Sequence, residues 1–183
     1  MKKPVWFVDV DGVINALVDY VNKPHLNSYS DWEALNVNGY IIVFSPAMVE
    51  SINSLSETID IVFMTTWAEA AANDLAPALG LNIKRFLRSD GSNSSFEYQG
   101  NDASKRWWKL NGILDHINQD QRPFIWTDDD MHNDIKRAIF GRAAFEGVDN
   151  LLITPNSKVG LTEQHLEMIR VFSARVSPPI RNS

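Results

Sequence analysis

Two clusters of carboxylates carry the chemistry of this chain. The first is Asp9-Val10-Asp11-Gly12, which closes the apolar run Val5-Trp6-Phe7-Val8. The second is Asp128-Asp129-Asp130, which closes Pro123-Phe124-Ile125-Trp126-Thr127. Oxygen-rich, sulfur-free clusters of this kind suit Mg²⁺, which is held by one or two carboxylates, waters and a substrate phosphate. Between them, Asp60-Ile61-Val62-Phe63-Met64 ends in Thr65-Thr66-Trp67, where hydroxyls at a strand end can donate to a phosphate oxygen. Two lysines, Lys105 and Lys109, stand at the front of a helical pattern that leads into the second acidic cluster. The order acid pair, hydroxyl, lysine, acid pair is far rarer than any of its parts.

Those side chains need elements to place them. Short apolar runs that end in acids read as parallel strands buried on both faces, delivering polar groups to the carboxyl edge where ligands collect in open α/β sheets. Alternation along a strand predicts that Asp9 and Asp11 share a face, and Gly12 lets the backbone turn sharply there. Tyr40-Ile41-Ile42-Val43-Phe44, preceded by Asn36-Val37-Asn38-Gly39, predicts a hairpin with its turn at Asn38-Gly39. Ser45-Pro46 predicts a helix cap and first turn, with Met48, Val49, Ile52 and Leu55 on one face. Further helices are expected from Trp67 to Leu79, with an early end at Pro77; from Asp102 or Ser104 to about Asn118; from Asn133 to Phe140, before Gly141; and from Thr162 to Arg175. Leu151-Leu152-Ile153 reads as a last strand, and residues 88–101 read as a loop by composition.

The residues resemble the four motifs of the haloacid dehalogenase-like (HAD) phosphohydrolases: Asp9 to Val13, Thr65, a lysine, and Asp128-Asp129. More closely, Thr65-Thr66-Trp67, Arg122 to Asp129 and Gly160-Leu161-Thr162 are similar to a small subgroup found in actinobacteria and their phages. That subgroup resembles the phosphatase domains attached to RNA-repair proteins. The resemblance spans roughly Val5 to Phe172. It implies an α/β, Rossmann-like three-layer sandwich with a central parallel sheet and a minimal cap, in which the hairpin of residues 32–44 serves as a flap.

The resemblance also implies roles. Asp9 would be the nucleophile of an aspartyl-phosphate mechanism, and Asp11 the acid that protonates the leaving oxygen and then the base that activates water. Mg²⁺ would be held by Asp9, the backbone carbonyl of Asp11, and Asp128, with Asp129 orienting the metal or its waters. Thr65 and a lysine would bind the phosphoryl oxygens. Lys109, just after Trp107-Trp108, is preferred over Lys105, while Gly12, Thr66, Trp67 and Lys105 complete the substrate side. Trp32, Trp67, Trp107 and Trp108 are the candidate base stackers, Trp6 and Trp126 read as core, and the four histidines read as surface or cap residues.

Composition sets the outer bounds. At 183 residues with 44% hydrophobic content, the expectation is a single phosphatase domain over residues 1–176 with a loose tail at 177–183. No apolar run is long enough to span a bilayer, Met1-Lys2-Lys3-Pro4 leads straight into the first strand, and the absence of cysteine suits a cytoplasmic protein. The net charge of -6 argues against nonspecific coating of nucleic acid, although not against reading a nucleotide or a strand end. With only the expected flap of residues 32–44 and the loop of residues 88–101 over the site, the pocket should be open, and the favoured substrate is a phosphorylated nucleotide or nucleic-acid terminus, with no obligate protein partner evident. Two alternatives stay open: a phosphatase of small metabolites, and a noncatalytic nucleotide- or phosphate-binding protein on the same scaffold. A metal-free dehalogenase is disfavoured by the presence of Asp11.

Overall fold

The computed structural model describes residues 3–18, 29–87 and 104–177, and for residues 104–107 the backbone alone. The loop expected at 88–101, the tail beyond Ser177 and the side chains of Lys105 and Trp107 lie outside the described residues.

The strands are β1 (Val5–Val8), β2 (Glu33–Val37), β3 (Tyr40–Phe44), β4 (Asp60–Phe63), β5 (Arg85–Phe86), β6 (Phe124–Thr127) and β7 (Asn150–Ile153). The helices are α1 (Pro46–Leu55), α2 (Ala76–Leu79), α3 (Ser104–Gln119), α4 (Asn133–Glu146) and α5 (Glu163–Val176). Five strands form one parallel sheet in the order β5-β4-β1-β6-β7. The chain runs outward from β1 to β5 and then returns to the other side of β1, so the strand order reverses beside β1. A crevice for ligands opens at the carboxyl ends of strands at such a reversal.

The sheet is covered on both faces, which is why β1 is buried along its whole length. Trp6 and Val8 point into a core shared with α1, α2, α5 and the hairpin, while Val5 and Phe7 point into a second core under α3 and α4. The result is the α/β, Rossmann-like three-layer arrangement that the sequence predicts. Among the described residues no helix is long and apolar enough to cross a membrane.

The hairpin β2–β3 turns at Asn38 and Gly39, both at positive φ (53° and 86°), the combination that a two-residue type I′ turn requires. Helix α1 begins as its cap predicts: Ser45 Oγ accepts the Met48 amide, and Met48, Val49, Ile52 and Leu55 are buried. Thr162 caps α5 in a reciprocal box with His165.

Several expectations need correction. Pro77 does not end its helix early, because a π-helical turn over Ala71–Leu75 widens the backbone just ahead of it. The ring is then accommodated near the start of α2, and Gly80 closes the helix at φ 75°. That helical stretch does not start at Trp67 either, since Ala68 takes φ 49° and leaves Trp67 in the preceding turn. Helix α4 runs through Gly141 to Glu146, because Ile135, Ile139 and Ala143 are buried along one face and outweigh a glycine's cost of about 1 kcal/mol. Gly147, at φ 69°, is the residue that stops it. Trp32 is core rather than a stacking surface, with its indole N–H on the Tyr29 carbonyl. His116 is likewise buried, edge-on to Phe7 and Phe124. The two-residue strand β5 was not foreseen.

Candidate active site

Register brings the two acidic clusters together. Val8 lies level with Thr127 on one side and Phe63 on the other, so Asp9, Asp128 and the Met64-Thr65 step emerge side by side at the carboxyl edge. The Asp9 amide donates to the Thr127 carbonyl at 3.1 Å and prolongs the ladder by one residue. Carboxylate oxygens of Asp9, Asp128 and Asp129 lie within 4.8 Å of one another.

Lys109, from the second turn of α3, places its ammonium among them. It donates to Asp9 Oδ2 and, at 2.8 Å, to Asp128 Oδ2. The other oxygen of Asp128 accepts the Asp130 amide at 3.0 Å, which fixes the turn after β6. Thr66 and Lys109 line one pocket with Asp128 and Met131. Thr65 is buried at the end of β4, and its hydroxyl lies 3.4 Å from the Trp67 amide.

One ammonium among three carboxylates leaves the cluster short of positive charge. Burial pushes the Asp9 carboxyl up to about 6, against the pull of Lys109 and with the help of Asp128. Burial, together with Asp128 and Asp130, likewise pushes Asp129 up to about 6. For Lys109 burial alone would lower the pKa, but the attraction of Asp9 and Asp128 outweighs it and the net shift is upward. A divalent cation would supply the missing charge, and the donor set, all hard oxygen, fits Mg²⁺.

Asp11 belongs to a different environment. The strand ends at Val8, and residues 10–15 form a tight turn in which the Ile14 and Asn15 amides both reach the Val10 carbonyl. Strand alternation therefore does not extend to Asp11, whose carboxylate turns toward neutral donors instead of joining the three-acid cluster. Asn15 Nδ2 donates to Oδ1 at 2.7 Å, and Trp67 Nε1 donates to Oδ2 at 2.9 Å.

Two glycines make the approach possible. Gly12 sits at φ 74°, and a Cβ there would run into the Asp129 carboxyl group. Gly160 sits at φ 71°, and a Cβ would come 2.7 Å from the Val13 carbonyl, which also accepts the Leu161 amide at 2.8 Å. The Gly160-Leu161-Thr162 segment thus buttresses the turn that carries Asp11.

The structure therefore gathers Asp9, Gly12, Lys109, Asp128 and Asp129 at one point, sets Thr65 and Thr66 along its border, and places Asp11 and Trp67 in contact on the flank. Sequence reasoning missed Asn15 and Tyr40. Asn15 was readable only as a polar residue in an otherwise apolar stretch, Val13-Ile14-Asn15-Ala16, where a buried amide must find partners.

No curated protein and no solved structure matches the chain. Residues 5–166 match the family described as the HAD domain in Swiss Army Knife RNA repair proteins. With its parallel sheet and its acids at the carboxyl edge, the chain belongs to that family and so to the HAD-type phosphohydrolases in general.

Proposed function

We propose that this chain is a Mg²⁺-dependent phosphomonoesterase that works through an aspartyl-phosphate. The observation that carries the reading is the three-carboxylate cluster with a single lysine inside it. Asp9, Asp128, Asp129 and the Asp11 backbone carbonyl would hold the cation. Bound there, Mg²⁺ would screen the nucleophile from the charge of the incoming phosphate and polarise its P–O bonds.

Asp9 presents one oxygen to phosphorus, and covalent capture splits a difficult displacement into two easier ones. Lys109 supplies a fixed positive charge that neither needs solvent reorganisation nor leaves the site during turnover. Thr65 and Thr66 supply hydroxyls at the end of β4 for the remaining phosphoryl oxygens. Asp11, turned away from the charged cluster, gives its proton to the departing oxygen and later takes one from water.

For the substrate, the reading is a nucleotide or a nucleic-acid end. Its support is the family's occurrence in RNA repair proteins, together with a cover that, among the described residues, consists of one hairpin. Phosphate release from an aryl phosphate, with and without Mg²⁺, tests the chemistry. Nucleoside monophosphates, 3′- and 5′-phosphorylated oligonucleotides and small sugar phosphates test the substrate. Hydrolysis of sugar phosphates well ahead of the nucleotides and oligonucleotide ends would overturn the substrate reading and leave the chemistry standing.

A further inference from the structure

Both donors that hold Asp11 are themselves tied to the hairpin. Asn15 Oδ1 accepts the Val43 amide of β3 at 2.9 Å, and the Val43 carbonyl accepts the Ala16 amide at 2.8 Å. Trp67 meets the ring of Tyr40 edge-on, with centroids 5.3 Å apart and planes at 64°. Tyr40 follows the hairpin turn directly and is 66% exposed, and Asn38 Nδ2 in that turn donates to Asp74 Oδ2 at 2.8 Å.

The conformation that puts Trp67 there is strained. Ala68 holds φ 49°, which costs an alanine about 1–2 kcal/mol and persists only where the surroundings impose it. Its effect is to keep Trp67 in a turn beside Asp11 instead of in the first turn of the following helix.

The chemistry of the two donors is also selective. An indole N–H donates and has no lone pair to accept, and Asn15 faces Asp11 with its Nδ2 donor while its Oδ1 accepts the Val43 amide. Neither neighbour presents an acceptor to Asp11, so neither competes with the leaving oxygen for a proton carried there. The same two donors stabilise the carboxylate that remains.

We propose that Trp67 is a positioning residue: its indole N–H holds Asp11 in the orientation for proton transfer to the leaving oxygen, and its ring ties that orientation to the flap through Tyr40. The inference rests on Asp11 as the general acid. In the step concerned, an Asp9 oxygen forms its bond to phosphorus, and the bond from phosphorus to the leaving oxygen breaks with its electron pair. The Asp11 proton moves to that oxygen, leaving Asp11 as a carboxylate held by Trp67 and Asn15.

The test is the dependence of kcat/KM on leaving-group acidity, measured with the full chain and Mg²⁺ from 2,4-dinitrophenyl phosphate through phenyl phosphate to an alkyl phosphate. A poor leaving group needs the proton and a good one does not. Trp67→Phe keeps the ring against Tyr40 but removes the donor. We expect it to cost roughly tenfold or more on the alkyl ester and about twofold or less on the dinitrophenyl ester, because general-acid help is worth about 10²–10⁴ where it is needed. In an Asp11→Asn background, Trp67→Phe should add nothing. Tyr40→Ala, on the exposed tip, should give the same leaving-group trend with a smaller amplitude, and it keeps the inference testable if Trp67→Phe folds poorly. Equal losses across the series would mean that Trp67 only packs, and the inference would fail while the phosphatase reading stood. Wild-type behaviour of Tyr40→Ala would remove the link to the flap. A wild-type chain inactive on every ester would overturn the phosphatase reading itself, and this inference with it.

Discussion

The two edges of the central sheet handle charge in opposite ways. At the amino edge, Arg122 precedes β6 and Asp60 opens β4. The Arg122 guanidinium donates to Asp60 Oδ2 and Asp120 Oδ2, each at 2.7 Å, and to the Lys3 carbonyl at 3.1 Å. Arg85 stands 3.7 Å from the same Asp60 oxygen, so two guanidinium groups face two carboxylates. Burial works against the charge of Arg122, but its bonds to Asp120 and Asp60 outweigh burial and the net shift is upward. At the carboxyl edge, three carboxylates face one ammonium, and two of them are pushed up to about 6. The amino edge is balanced and serves the fold. The carboxyl edge is left unbalanced at a cost to the fold, which is the usual mark of a site that awaits a charged ligand.

The sharpest way to break this contrast is Asp9→Asn. Turnover should fall by at least about a thousandfold, because the proposed covalent route would lose its nucleophile. The melting temperature of the metal-free protein near pH 7 should stay level or rise, since the cluster holds more carboxylates than its one ammonium can balance and Lys109 keeps Asp128 as a partner. Phosphate release and a thermal melt on the same sample measure both. A drop of several degrees would mean that Asp9 is structural and that the carboxyl edge is not under electrostatic strain.

Lys109→Ala probes the same edge from the other side. Removing the charge proposed to face the phosphoryl group should cost about 10²–10³ in kcat/KM. Unlike Asp9→Asn, it should also destabilise the metal-free fold, because Asp9 and Asp128 lose the ammonium they share. Lys105→Ala should be nearly silent in both measurements. Equal, small effects of the two lysine substitutions would remove lysine from the phosphate site altogether.

The chemistry was more legible in the sequence than its geometry. Apolar runs ending in acids gave β1 and β6, and register then had little choice but to bring Asp9 and Asp128 level. The Asn38-Gly39 turn and the Ser45-Pro46 start were readable because each depends on a local backbone preference. Asp11, Asn15 and Trp67 were not placed by such preferences. Their arrangement depends on a turn that replaces strand geometry already at Asp11, one residue before the Gly12 that signals it, and on a left-handed alanine at residue 68, which has no sequence signal. Gly141 and Gly147 illustrate the same limit in a helix. Both are glycines, and only the buried face of α4 decides which one ends it.

Cation binding sharpens the comparison through pH. Asp9 and Asp129 titrate near 6 in the folded protein, against an ordinary value of 3.8. The folded chain therefore keeps protons that the unfolded chain has already released. The stability these groups contribute is complete below about pH 4 and is lost as pH rises through 6. A divalent cation bound among these carboxylates would compete with those protons and replace them. Mg²⁺ should accordingly raise the melting temperature more at pH 7.5 than at pH 5, a difference read directly by calorimetry. Equal shifts at the two pH values would mean that the cation does not meet this charge excess.

The smallest effect on activity is expected at the far edge. Arg122→Lys keeps the charge but replaces a planar fork that engages Asp60, Asp120 and the Lys3 carbonyl with a point donor. The groups are partly exposed, so the loss in stability should be about 1 kcal/mol. The value of kcat/KM should stay within about twofold, because the substituted side chain lies at the opposite end of the strands from Asp9 and Asp128. Denaturant unfolding and a steady-state assay on the same preparation decide the matter. A loss of activity without a loss of stability would mean that β4 and β6 transmit changes along their length, and that the two edges are not the separate electrostatic worlds their charge balance implies.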